Sequence, residues 1–282
     1  MFNMAKKVFV YLSGGLGNQM FQYAFGLSLK KRCGVRVFYD NSFFLSQTFR
    51  KYELCCFGIT LKKCQKTLSE KRSELQLKMV KEKQDSVYDE SLYRIENNNY
   101  YKGWFQSYKY VEPHRKDILK IFKPVYPLDD ANKEMLDKIK SVNAVCLHVR
   151  RTDYLKEKEL AIRGICSPDY YKRAAEYIKQ HVDNPVFFIF SDDIEWCREN
   201  IDPDAEHVFV DINDGEKGCF DMFLMQNCKH NIIANSSFSW WGAWLNEHPD
   251  KIVIAPKIWM SSWNEPEENA GRDLIPPEWI RL

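Results

Sequence analysis

The chain has 282 residues, of which 15% are aromatic and 28% charged, and a net charge of +2 at pH 7. The length suits two domains of ordinary size, and the composition is that of a folded globular protein, not a disordered one. A balance of +2 gives no basic footprint for nucleic acid, and no apolar run reaches the length of a bilayer span.

The first predicted element is a strand at 8–12, Val-Phe-Val-Tyr-Leu. The basic residues Lys6 and Lys7 run straight into it, so no secretory leader is expected. A glycine-rich turn follows at 13–19, and an apolar-rich helix is predicted over 20–33, with Gly34 suited to its C-cap. A second strand is predicted at 35–39. A βαβ opening of this kind implies a parallel sheet.

The turn lacks the spacing of a dinucleotide fingerprint and the lysine of a P-loop. Its glycines still allow a ligand close to the backbone, and Asn18 and Gln19 add amide donors at the helix start. A plain strand-to-helix turn is the alternative.

Residues 61–90 are rich in Lys, Glu and Ser, which predicts a solvated helix or an excursion outside the core. The aromatic stretch 100–108 is expected near the end of the first domain. Residues 124–138 read as a connection and a new helix.

The second half alternates. Strands are predicted at 144–149, 186–190, 207–210, 231–234 and 252–255. Helices fit at 168–181, 194–200, 218–227 and 239–247. That alternation predicts a doubly wound parallel sheet.

Two strand ends in this half suit an anion. The first is His-Val-Arg-Arg-Thr-Asp-Tyr at 148–154. A guanidinium fork matches phosphate oxygens and stays charged, so Arg150 and Arg151 are candidates for a diphosphate clamp; an ion-paired surface turn is the alternative. The second is Asn-Ser-Ser-Phe-Ser-Trp-Trp-Gly-Ala-Trp at 235–244. A helix start with hydroxyls and unpaired N–H groups is a ready anion site, and ordinary capping by Ser236 or Ser237 is the alternative.

Asp192 and Asp193 end another strand and could bind a hydroxyl or a base edge, or cap the next helix. Asp221 reads as an exposed helix acid or a guanine partner. Asp202 and Asp204 carry an Asp-x-Asp spacing, but their Pro-containing turn predicts a solvated loop, not a metal site. Nine cysteines without Cys-x-x-Cys pairing read as free thiols, which favours a reducing compartment.

Taken together, the motifs at 14–23, 148–154, 190–193 and 235–244 resemble the inverting α-1,2-fucosyltransferases of glycosyltransferase family 11. They stand in that family's order and span the chain from residue 10 to about 256. The stretch 61–90 carries no matching motif.

The resemblance implies an α/β, GT-B-like fold: two Rossmann-like parallel-sheet domains facing across a cleft. These would be an acceptor-side domain at 1–125 and a donor-binding domain at 126–282, with the extreme C-terminus able to pack back on the first. It implies transfer of L-fucose from GDP-β-L-fucose to the 2-hydroxyl of a terminal β-galactoside, with inversion and without a metal or other cofactor.

By that likeness, Arg150 and Arg151 face the diphosphate and His148 shapes the same site. Asn235, Ser236, Ser237 and Phe238 line the nucleotide and phosphate pocket. Asp192, Asp193 and Asp221 are candidates for guanosine contacts. The loop carrying Gly15, Gly17, Asn18 and Gln19 reaches toward the fucose and the acceptor hydroxyl. Asp153 either acts as base or holds an arginine, and the leaving phosphate is the other proton acceptor.

The expected partners are GDP-fucose and a galactose-terminated glycan of a polysaccharide or lipopolysaccharide, with no nucleic acid. The expected location is the cytoplasm, with peripheral contact at the inner face of the membrane left open. An inverting fucosyltransferase with another acceptor and a sugar-binding module without turnover are the competing readings.

Overall fold

A computed structural model describes residues 5–61, 75–214, 217–262 and 271–282 of the chain. It divides into two compact units, residues 1–125 with 271–275, and residues 126–270 with 276–282. No helix among the described residues is long and apolar enough to cross a membrane.

The first unit is built on strands β1 (Lys7–Tyr11), β2 (Arg36–Asp40), β3 (Lys78–Val80) and β4 (Asn99–Tyr101). They form one sheet in the order β2-β1-β4-β3, parallel throughout. Its main helix runs from Leu16 to Cys33 and buries Met20, Phe21, Ala24, Phe25 and Leu29. It ends as the sequence indicates: Gly34 takes a left-handed φ of 65° and its N–H donates to the Lys30 carbonyl. An L side chain there would be strained, which is why glycine stands at this cap.

Three features differ from the sequence expectation. The helix begins at Leu16, not residue 20, because Gly15 is extended and serves as N-cap. Gly17, Asn18 and Gln19 therefore belong to its first turn. The charged stretch 61–90 contains β3, and the aromatic stretch 100–108 begins inside β4, the strand hydrogen-bonded to β1. Both strands are three residues long, too short to establish a period of two against charged or all-aromatic neighbours. The remainder of 61–90 falls partly outside the described residues.

The second unit holds β5 (Asn143–Val149), β6 (Pro185–Ser191), β7 (His207–Phe209), β8 (His230–Ile232), β9 (Val253–Ala255) and β10 (Ile280–Arg281). All are parallel, in the order β10-β9-β8-β5-β6-β7. Read from β7, this is the 3-2-1-4-5-6 order of a doubly wound sheet.

Successive residues of β5 pack on opposite faces. Val145, Leu147 and Val149 meet Tyr170, Tyr171, Ala174 and Ile178 of the helix Pro168–His181. Ala144 and Cys146 meet Ile139, Leu224 and Met225 from the helices Asp130–Ser141 and Gly218–Asn227. Both faces are covered, so the strand reads as a continuous apolar run in place of an alternating one.

The helix Ser237–Leu245 is buried almost all round, and Trp240, Trp241 and Trp244 are at most 1% exposed. Truncating one such side chain typically costs about 3–5 kcal/mol. They are core residues, and they fix the start of that helix in place.

The chain end divides between the units. Asp273 is buried in the first: its carboxylate accepts from the Tyr88 N–H at 2.9 Å and its carbonyl from the Tyr108 N–H at 2.9 Å. Residues 276–282 end instead as β10, paired with β9.

Candidate functional site

In the second unit the strand order reverses between β5 and β8. A ligand crevice is expected outside the carboxyl ends of such a pair. Residues 150–154 leave β5 there and residues 233–237 leave β8. The two segments that the sequence marks as anion-suited are therefore brought together by the fold.

One side chain ties them directly. The Tyr154 hydroxyl donates to the Asn235 carbonyl at 3.2 Å. The Arg150 and Arg163 guanidiniums lie over the same ring, 5.5 and 5.2 Å from its centroid. Tyr154 sits in the quoted motif, yet its bridging role has no signature in sequence.

The Arg150–Thr152 turn is braced by Asp192 from the end of β6. Its Oδ1 accepts from the Arg151 N–H at 2.9 Å and its Oδ2 from the Thr152 N–H at 3.1 Å. The Thr152 hydroxyl donates to the same carboxylate, and Arg150 Nη1 lies 3.2 Å from Oδ2. Arg150 also pairs with Asp153.

Arg151 is held differently. Its Nε donates to Asp193 Oδ2 at 3.3 Å, and its guanidinium stacks 3.6 Å from the Trp196 ring centre. Asp193 Oδ1 accepts from the Trp196 N–H, capping the helix Ile194–Asn200. Trp196 lies one turn beyond Asp193, and its contact with Arg151 has no signature in sequence. Two guanidiniums fixed by carboxylates and an aromatic face lose little freedom on meeting an anion, which is electrostatic preorganisation.

His148 lies on the Ala144–Cys146 face of β5, and its ring is 5.8 Å from that of Phe238. It is 4% exposed and its Nδ1 has no hydrogen-bond partner among the described residues. Burial drives its pKa well below the usual imidazole range, against the pull of Asp192, so the ring is neutral at neutral pH.

Asp221, in the first turn of its helix, accepts from Asn213 Nδ2 at 2.8 Å. Burial pushes its carboxyl up to about 7. A carboxyl with a raised folded-state pKa stabilises the fold fully below its unfolded value, near 4, and loses that contribution as pH rises through about 7. Asp221→Asn is therefore expected to match the wild type near pH 4 and to be more stable by on the order of 3 kcal/mol above pH 7. Urea unfolding of both proteins at pH 4, 7 and 8.5 measures this; a gap that stays constant with pH would assign Asp221 no buried charge.

The residues after β8 divide by role. Asn235 is buried; its Nδ2 donates to the carbonyls of Arg163, Gly164 and Trp259 at 3.0–3.3 Å. Ser236 caps the helix, accepting from the Phe238 N–H at 3.3 Å. Ser237 and Phe238 are half-buried at the helix start. Asn235 and Ser236 thus shape the turn, and Ser237 and Phe238 are the half-buried residues that follow it.

In the first unit, Gly14 takes a φ of 77°, and a Cβ there would fall 2.6 Å from Asn18 Nδ2. The turn needs glycine for both reasons. Gln19 is fully buried; it donates to the Gly14 and Lys51 carbonyls at 2.9 Å and accepts from the Glu53 N–H at 3.0 Å. It is a staple, whereas Asn18 is only part-buried. A Cβ on Gly15 would come within 3.4 Å of Arg50 Nη1, and Gly17 is buried in the helix.

The Asp-x-Asp spacing lies apart from these strand ends. Asp202 accepts from the Asp204 N–H, and Asp204 pairs with Lys179 at 2.9 Å on the exposed side of the fold.

The chain matches the model of glycosyl transferase family 11 over residues 2–282. It is 34% identical to an α-1,2-colitosyltransferase of Escherichia coli, covering 96% of this chain and 97% of that protein. It is 31% identical to the O-antigen biosynthesis glycosyltransferase WbnK of Escherichia coli, covering 96% and 99%. With galactoside α-(1,2)-fucosyltransferase 1 of Bos taurus the identity is 28%, over 49% of this chain and 38% of that one.

Proposed function

The chain belongs to glycosyl transferase family 11, and we propose that it transfers L-fucose from GDP-β-L-fucose to the 2-hydroxyl of a terminal β-galactoside with inversion. The observation that carries this is the pair of braced arginines at the end of β5, set beside the start of the helix Ser237–Leu245 by the Tyr154–Asn235 hydrogen bond.

Breaking the sugar–phosphate bond leaves negative charge on the diphosphate and positive character on the ring. Arg150 and Arg151 meet the diphosphate charge, and the helix start adds N–H groups and a favourable dipole. His148, Phe238 and Asp221, which share one face of the sheet, are the proposed nucleoside contacts. In ionised form the Asp221 carboxylate accepts from the N–H groups of a guanine edge.

A galactose hydroxyl attacking from the face opposite the phosphate gives inversion. Its proton needs an acceptor. Asp153 is paired with Arg150, which favours the leaving phosphate for this task over Asp153. The Asn18 amide is the proposed contact to the reacting sugar.

The Escherichia coli relative at 34% identity supports a second reading, transfer of colitose, a fucose lacking its 3-hydroxyl. A site that hydrogen-bonds a substrate hydroxyl rejects the analogue lacking it far more strongly than the reverse. Initial rates with GDP-fucose and GDP-colitose, against a panel of β-galactosides, separate the two. A higher kcat/KM with GDP-fucose is the expected outcome, and a preference for GDP-colitose would replace the donor.

The same assay is expected to retain full rate after EDTA treatment, because the guanidiniums supply the charge a divalent ion provides elsewhere. Loss of activity restored by Mn²⁺ or Mg²⁺ would overturn the metal-independent reading.

A further inference from the structure

We propose that the first unit carries a second carbohydrate-binding site, a groove at the amino-terminal ends of its strands that holds a glycan chain away from its reacting end. The proposal rests on the reading that the acceptor is a glycan, and goes beyond it in giving that chain a separate place to bind.

Successive residues of β1 point to opposite faces of the sheet. Val8 and Val10 are fully buried on one face, whereas Lys7 is exposed and Phe9 half-buried on the other. The parallel register sets Phe9 beside Phe38 of β2. Their rings stack with centroids 5.4 Å apart, and Phe38 is 39% exposed. Beside this aromatic pair lies a groove of about 530 Å³, within the size of an ordinary ligand site. Gln76 and Asn97–Asn98, from the segments that lead into β3 and β4, line it as well.

The amides are set in complementary senses. Asn97 Oδ1 accepts from the Lys7 N–H at 3.0 Å, so its Nδ2 is left to donate. Asn98 Nδ2 donates to the Leu75 carbonyl at 2.8 Å, so its Oδ1 is left to accept. The Asn98 backbone is fixed on both sides: its N–H donates to the Lys7 carbonyl at 2.8 Å and its carbonyl accepts from the Lys78 N–H at 2.9 Å. Gln76 takes a φ of 49°, which an L residue adopts mainly where its surroundings impose it.

A sugar hydroxyl donates and accepts at once, so it matches a fixed donor beside a fixed acceptor. The C–H face of a pyranose ring packs on an aromatic surface. Among the described residues no carboxylate lines the groove, and the Lys7 ammonium adds a further donor. An anionic lipid surface would meet the charge of Lys7 but leave the asparagine acceptor unmatched. The pairing of aromatic rings with oriented amides therefore favours a glycan.

Two probes separate this groove from the reacting centre. Lactose is a short β-galactoside, and a β-1,4-galactan continues beyond its terminal galactose. Calorimetry on the full chain reads galactan binding directly, initial rates read KM and kcat for each probe, and Tm confirms folding. Phe38→Ala is expected to weaken galactan binding about tenfold, and to raise its KM in proportion. Gln76→Ala is expected to do the same to a smaller extent. For lactose, KM and kcat are expected to stay within about twofold of wild type in both variants. Phe38→Trp is expected to keep galactan affinity, and Phe38→Leu, which keeps apolar area without a ring face, to lose it.

A wild-type chain that binds no galactan, a Phe38→Ala variant that binds it as wild type does, or an equal rise in KM for both probes would overturn the proposal. If Phe38→Ala and Lys7→Ala lose co-sedimentation with phosphatidylglycerol vesicles while galactan affinity is kept, the groove is a lipid contact instead. A changed sedimentation coefficient with galactan affinity kept would make it a contact between copies. Galactan binding is read without turnover. A chain that binds galactan in this groove but transfers no fucose to any β-galactoside would therefore sink the proposed function and leave the groove standing.

Discussion

Replacing Arg150 with alanine is expected to lower the rate of sugar transfer about 100- to 1000-fold while the protein stays folded. Arg150 stands at the end of the central strand of the second unit, held by Asp153 and by Asp192 at 3.2 Å. A charge fixed in place before the reaction needs no reorganisation when the leaving group develops its own. Lysine is expected to restore only part of the rate, because a point charge cannot reproduce the guanidinium fork.

Arg151→Ala is expected to be comparably damaging to rate, with an added loss of packing where the guanidinium covers Trp196 at 3.6 Å. Single-turnover assays at saturating donor, with circular dichroism to confirm folding, measure both. A folded Arg150→Ala or Arg151→Ala variant turning over near the wild-type rate would remove that arginine from the clamp.

Much of the second unit is legible in the sequence. The helix Pro168–His181 announces itself through Ser167, whose side chain accepts from the Tyr170 N–H, and through Pro168 at the first helical position. β5 and β6 read as strands because each is seven residues long, mostly apolar, and covered on both faces. The first unit is harder to read. β3 and β4 are three residues each and are placed by pairing with one another and with β1, information that lies in partners and not in a local period.

The candidate site divides in the same way. Arginines at a strand end and a capped helix start carry local chemistry, so sequence marks them. The Tyr154–Asn235 link, the Trp196 stack and the Gln106–Asn18 bond join residues 81, 45 and 88 positions apart. Only the fold brings such pairs together. The sequence also leaves Asp192 and Asp193 open between base contact and support, and it is geometry that engages both carboxylates at the Arg150–Thr152 turn.

Asp192→Ala is accordingly expected to lower the transfer rate about 100-fold and to destabilise the fold by about 1–3 kcal/mol. The change leaves the Arg151 and Thr152 N–H groups without their acceptor and releases Arg150 on one side. The part-buried Arg151 donor left unpaired costs about 1–3 kcal/mol, whereas the exposed Thr152 N–H can bond to water. Asp192→Asn keeps an oxygen for one N–H but no charge for Arg150, so its rate is expected to fall between alanine and wild type.

The informative readout is base selectivity, measured as the ratio of GDP to IDP affinity, since IDP lacks the 2-amino group of guanine. A carboxylate that braces the turn should leave that ratio at its wild-type value even where the rate collapses. A carboxylate that reads the guanine edge should lose the ratio first, because the unmatched donor then has no acceptor. Asp221→Asn provides the contrast: it is expected to reduce the GDP preference while leaving the Arg150–Thr152 turn intact. Loss of selectivity in Asp192→Asn, with selectivity kept in Asp221→Asn, would exchange the two assignments and make Asp192 the residue that recognises the base.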